Sequence, residues 1–170
     1  MQKLTIFTQN LSTMHYSRFN IFFFLMLAFS VVIASCDKDD EGSDFVKTGL
    51  PMTPGQEVPT PPVASNATGS IDATYSQRTR TLSYKVTWQG LTSDSIRGMH
   101  IHGPADPGTA AGILQGFSGY PLKASGTYSG SVFVDGVVIK EEVLLANKLY
   151  INLHTKANPA GEIRGQLIMQ

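Results

Sequence analysis

The chain has 170 residues, with thirteen Lys and Arg against thirteen Asp and Glu, so its formal charge is zero. A neutral surface excludes nucleic acid as a partner, because phosphate binding needs a basic surplus. An apolar fraction of 42% excludes a disordered chain, the single cysteine excludes both a disulfide framework and a cysteine-based zinc cluster, and the length leaves room for one domain.

The N-terminal end differs in kind from the rest. Residues 1–35 carry Lys3 and Arg18 and no acid, which leaves eleven bases against thirteen acids in residues 36–170. From Ile21 to Ile33 runs an apolar stretch of thirteen residues. A membrane-crossing helix needs about 20, whereas the apolar region of a secretory signal takes roughly 7–15, so residues 1–35 read as a signal peptide. Residues 1–13 form a polar preface longer than such a signal needs, and Met14 is the expected true start.

Ile33-Ala34-Ser35-Cys36 resembles the lipobox of bacterial lipoproteins. The resemblance implies cleavage before Cys36, lipidation of Cys36 and attachment to the membrane through the lipid anchor; two or more acyl chains hold a protein stably where one holds it marginally. Cys36-Asp37-Lys38-Asp39-Asp40-Glu41 is similar to the acidic export tag of surface lipoproteins of the Bacteroidetes, which implies an outer-membrane lipoprotein facing the cell exterior. Read by composition alone, the same run is a solvated spacer. Residues 36–49 are expected as lipidated cysteine and tether, and residues 50–170 as the domain. The prolines at 51, 54, 59, 61 and 62 keep the chain extended as far as residue 65.

Downstream, apolar and polar residues alternate in short runs separated by Gly, Pro, Asn and Asp, the pattern of an all-β Greek-key antiparallel β-sandwich or barrel. Ile71, Ala73 and Tyr75 alternate with Asp72 and Thr74; Leu82, Tyr84, Val86 and Trp88 alternate with Ser83, Lys85, Thr87 and Gln89. Further strands are expected at 96–102, 112–117, 126–135, 148–154 and 161–169, with turns at Asp135-Gly136 and Gly119-Tyr120-Pro121. Only 141–147 reads as helix.

Three passages resemble the CHRD (chordin-type) domain: Leu50-Pro51-Met52-Thr53-Pro54-Gly55-Gln56-Glu57-Val58-Pro59, then Gly98-Met99-His100-Ile101-His102-Gly103-Pro104, then 149–155 followed by Pro159-Ala160-Gly161-Glu162-Ile163-Arg164-Gly165-Gln166-Leu167. The resemblance implies an extracytoplasmic β domain acting as a binding or structural module of the cell envelope. It does not supply an activity.

Alternation puts Met99 and Ile101 on one face of their strand and His100 and His102 on the other, and it sets Leu149, Ile151 and Leu153 against Tyr150, Asn152 and His154. A hairpin from 148–154 to 161–168 would bring His154 opposite Glu162 and Asn152 opposite Arg164. Two readings of this cluster stand side by side. In one, His100, His102 and His154 bind a copper or zinc ion, since imidazoles two apart on a strand can converge on one ion. In the other, the three histidines join Asn152, Glu162 and Arg164 in a hydrogen-bond network that closes the sheet edge. The His-x-His strand with a late histidine is also similar to copper–zinc superoxide dismutase. The domain lacks the further histidine needed to bridge two metals, so dismutase activity is not expected. No Gly-x-Ser-x-Gly elbow or phosphate-binding loop occurs, and no catalytic residue is assigned.

Overall fold

A computed structural model describes residues 42–93 and 96–170. The expected signal peptide, Cys36 and the acidic run after it lie outside the described residues. Every expected strand forms within a few residues of its expected bounds. The elements are β1 (Asp44–Met52), β2 (Thr68–Ser76), β3 (Thr81–Gln89), β4 (Ile96–His102), β5 (Ile113–Gly116), β6 (Gly126–Phe133), a single-turn helix α1 (Glu141–Leu145), β7 (Tyr150–Thr155) and β8 (Ile163–Gln166). They make two antiparallel four-stranded sheets, ordered β1-β2-β3-β6 and β5-β4-β7-β8. The chain crosses between sheets so that β6 returns beside β3 and β7 beside β4, which is the Greek-key pattern.

Period-two sequence drives this arrangement. On β3, Leu82, Tyr84, Val86 and Trp88 are buried while Ser83, Lys85 and Gln89 are exposed. They meet Met99, Ile101, Ile151, Leu153 and Ile163 from the second sheet, and each large side chain removed from water contributes about 1.5–3 kcal/mol. Trp88 keeps its indole N–H satisfied by donating to the Lys123 carbonyl at 3.0 Å.

Two expectations need correction. The fold already includes β1 from Asp44, inside the stretch expected as tether. Phe45 stacks on Tyr75 with ring centroids 6.3 Å apart, and a bulge between Lys47 and Leu50 breaks the alternation, which hides this strand from a period-two reading. Residues 53–65 are likewise part of the fold. Thr53 exchanges backbone hydrogen bonds with Arg164 at 3.0 and 3.2 Å, Glu57 is buried, Val63 N–H donates to the Asn158 side chain, and Ser65 donates to Glu162.

These residues, with the loop 103–112, cover the outer face of the second sheet. Tyr150, Asn152, Arg164 and Gln166 are therefore as buried as the apolar side chains on the opposite face. The polar face of β7 and β8 is an interior layer, whereas alternation alone reads it as surface.

Candidate metal centre

β4 and β7 are paired with Gly98 opposite His154, His100 opposite Asn152, and His102 opposite Tyr150. All three histidines therefore project to the covered side of the sheet. The ring of His100 folds back over Gly98, where a Cβ would lie only 2.5 Å from its Cε1. That brings the His100 centroid to 4.9 Å from His154 and 5.5 Å from His102, with His102 and His154 6.0 Å apart. One ring nitrogen from each histidine lies within 4.8 Å of those of the other two. Three nitrogens bound to one ion at about 2.0–2.1 Å stand roughly 3.3–3.6 Å apart, so the rings need to close by about 1 Å.

The hydrogen bonds fix which nitrogens face inward. Nδ1 of His102 lies 3.0 Å from the Ala111 carbonyl and Nδ1 of His154 lies 3.0 Å from the Pro159 carbonyl. A carbonyl only accepts, so each Nδ1 carries a proton, and in the neutral ring this tautomer leaves the lone pair on Nε2, the arrangement found where a carbonyl orients a metal-bound imidazole. Nε2 of both rings, together with Nδ1 of His100, is buried and has no hydrogen-bond partner. Leaving such a group unsatisfied costs about 1–3 kcal/mol, which a cation would relieve.

Charge points the same way. Burial, and then the neighbouring His154 and His102, push the His100 imidazole down to about 4. Burial also lowers His154, against the Pro159 carbonyl that raises it. Both rings are neutral at pH 7, the form that binds metal. An all-imidazole set suits zinc or copper, and three protein ligands leave one coordination position for another group.

The family model of the CHRD domain matches residues 49–167. The chain belongs to the CHRD domain family. The match runs from within β1 to just past β8, and so takes in nearly the whole sandwich. No curated protein and no solved structure matches the chain.

In this CHRD domain the polar residues expected to form one network with the histidines act separately. Asn152 does pair with Arg164 in the β7–β8 register, but its side chain donates to Glu57 at 3.4 Å. Glu162 turns its carboxylate away from His154. It accepts from Thr92 N–H at 2.7 Å and from the hydroxyls of Thr92, Ser65 and Thr155 at 2.8, 2.8 and 2.6 Å. Burial raises its pKa, and these hydrogen bonds, led by Thr155, outweigh burial and hold the group below the usual value. The reason is geometric: Thr155 continues the Ile151 and Leu153 face, so the donors available to Glu162 lie on that side.

Arg164 is 1% exposed and is enclosed by the loop over it. Its guanidinium lies 3.5 Å above the Tyr150 ring centroid and donates to the carbonyls of Thr109 and Asp106 and to Gln166. Tyr150 stacks on His102 at 4.9 Å, and its hydroxyl both accepts from Ala111 N–H and donates to the Ala111 carbonyl. Arg164 and Tyr150 thus hold the loop whose Ala111 carbonyl orients His102.

Four contributors escape a reading of the residues alone: Glu57, Gly98 and the carbonyls of Ala111 and Pro159. Glu57 and Gly98 do stand inside the passages that carry the CHRD resemblance. The carbonyls leave no trace in residue identity.

Proposed function

We propose that this chain is a lipid-anchored, extracytoplasmic CHRD-domain protein of the outer membrane that binds one copper or zinc ion through His100, His102 and His154. The observation that carries the metal reading is the cluster of three histidines with a ring nitrogen from each within 4.8 Å of the others, every ring having a buried nitrogen without a partner and two of the rings being oriented by backbone carbonyls. The anchor reading is supported by Cys36 at the end of a short apolar segment, a few residues before the fold begins.

Metal analysis of the purified protein after exposure to copper or zinc tests the centre. One ion per chain is expected, lost in His100→Ala and His154→Ala. Identical melting of the protein with and without metal overturns it, because a ligand bound only by the native state raises stability by mass action. Palmitate labelling tests the anchor, with incorporation expected at Cys36 and lost in Cys36→Ala. Protease shaving of intact cells reports which side of the outer membrane the domain faces.

A further inference from the structure

One end of the β1-β2-β3-β6 sheet gathers the incoming chain, the turn at 77–80 and the loop after β6. Gln77 N–H donates to the Ser43 carbonyl at 3.1 Å, and Val134 N–H donates to the Arg80 carbonyl at 2.8 Å. At this end the fold displays apolar side chains to solvent: Val137 is 77% exposed, Phe133 56% and Val138 49%. The display is rigid. Asp135 Oδ1 accepts the N–H groups of Val137, Val138 and Ile139 at 2.9, 2.9 and 3.0 Å, while Val134 and Ile139 are buried on either side. Charged groups of both signs surround the tip: Asp44 and Asp135 are exposed and Glu141 accepts from Gln77, beside three basic residues. Arg80 sits 5.2 Å over the Phe133 ring, and Arg78 and Lys140 are exposed beside it.

Exposed apolar side chains with long basic side chains beside them match the interface of a bilayer, where hydrocarbon lies beneath anionic phosphate that such side chains can reach. Distance selects the bilayer over other occupants. Six residues lie between Cys36 and Ser43, a span of at most about 25 Å when fully extended. We propose that Val137, Val138 and Phe133 form a membrane-contact tip that enters the headgroup region of the same bilayer that holds Cys36, with Arg78, Arg80 and Lys140 meeting phosphates. This rests on lipidation of Cys36. The tip makes the anchored domain stand on the membrane with a defined end down, where a tether alone would let it tumble.

Acylation of Cys36 leaves no other thiol in the chain, so Val137→Cys carries an environment-sensitive fluorophore at that one place. The full chain, extracted and reconstituted into phosphatidylethanolamine–phosphatidylglycerol vesicles, is compared with Leu122→Cys. Leu122 is also exposed, but it lies next to Lys123, which bonds Trp88 at the far end of β3, roughly 25 Å along the strand. A blue-shifted emission quenched by lipid-borne nitroxide is expected at 137 and water-like emission at 122. Water-like emission at 137 with Cys36 acylated by intact mass overturns the tip alone, and unacylated Cys36 overturns tip and anchor together. Lipid-like emission at both positions overturns a defined end, and a 137 probe shielded on cells but not on vesicles assigns the surface to a protein instead.

Discussion

The imidazole of His100 occupies the space that a side chain on Gly98 would fill, with Cε1 2.5 Å from the Cβ position. Gly98 is also the residue paired with His154 across the strands, so the missing side chain is what allows the two rings to meet. Gly98→Val keeps a residue suited to a strand but displaces the His100 ring. Copper or zinc affinity is expected to fall by about tenfold or more, the usual cost of disturbing what orients a ligand. Calorimetric titration measures this, and a circular dichroism spectrum unchanged from wild type separates it from unfolding. Undiminished affinity would show that the folded-back ring is not what assembles the centre.

Metal-free stability should fall on mild acidification. His100 titrates near 6.5 when unfolded and at about 4 when folded, and His154 is lowered in the same sense. The unfolded chain therefore binds more protons between these values, and stability rises with pH across that window. Above pH 6.5 the contribution is complete, and it is lost as pH drops toward 4. With allowance for solvent screening of a ring that is only partly buried, His100 accounts for about 1–2 kcal/mol. Denaturant titrations at pH 7 and pH 4.5 of wild type and His100→Gln check it. The variant should lose most of the difference.

Glu57 works in the opposite direction. Burial raises its carboxyl from 4.5 to about 7, against the Asn152 hydrogen bond and the Arg164 charge that lower it. The folded state holds this proton longer than the unfolded state, so stability is present below pH 4.5 and declines as pH rises through 7. Glu57→Gln keeps the shape and removes the titration. Its melting temperature should exceed that of wild type at pH 8, by an amount worth at most about 3 kcal/mol, and match it near pH 5. The same difference at both pH values would mean that the carboxyl does not titrate in this range.

The strands were legible because a sandwich rewards strict alternation. Leu82 to Trp88 read as a core face, and the register of Asn152 with Arg164 followed from strand and turn lengths. The convergence of three histidines was half legible, since alternation yields their shared face but not the ring fold-back over Gly98. What stayed hidden depends on contacts distant in the chain. Glu57 meets Asn152 across 95 residues and Ser65 meets Glu162 across 97, so a proline-rich stretch with the composition of a linker proves to be the cover of a sheet. Glu162 and Arg164 look like surface charges for the same reason. Their burial is tolerated only because partners arrive from loops that carry no periodicity.

Glu162 ties three segments together through its four donors. Glu162→Gln replaces an acceptor oxygen with an amide that donates toward groups already donating, so at least one buried bond is lost and another is opposed. A loss of about 2–4 kcal/mol is expected in urea unfolding. Because the residue closes the hairpin that carries His154, metal affinity should weaken alongside stability. A variant as stable as wild type would mean that the four hydrogen bonds contribute nothing net.

Arg164 offers a test that separates holding the loop from holding the fold. Lysine keeps the charge but not the planar fork that spans Thr109, Asp106 and Gln166 while lying flat on Tyr150. Arg164→Lys should therefore release residues 105–111 while the two sheets persist. Proteolytic cleavage in that loop should speed up by an order of magnitude or more, about what the loss of 1.4 kcal/mol or more of local stability produces. Freed from Arg164, the Ala111 carbonyl would hold His102 less firmly, and metal affinity should drop by about tenfold. Addition of copper or zinc should in turn slow the cleavage, since an ion bound at Nε2 of His102 favours the ring orientation that the latched loop maintains. Equal cleavage rates with and without metal would disconnect the loop from the centre, leaving Arg164 as a purely structural residue.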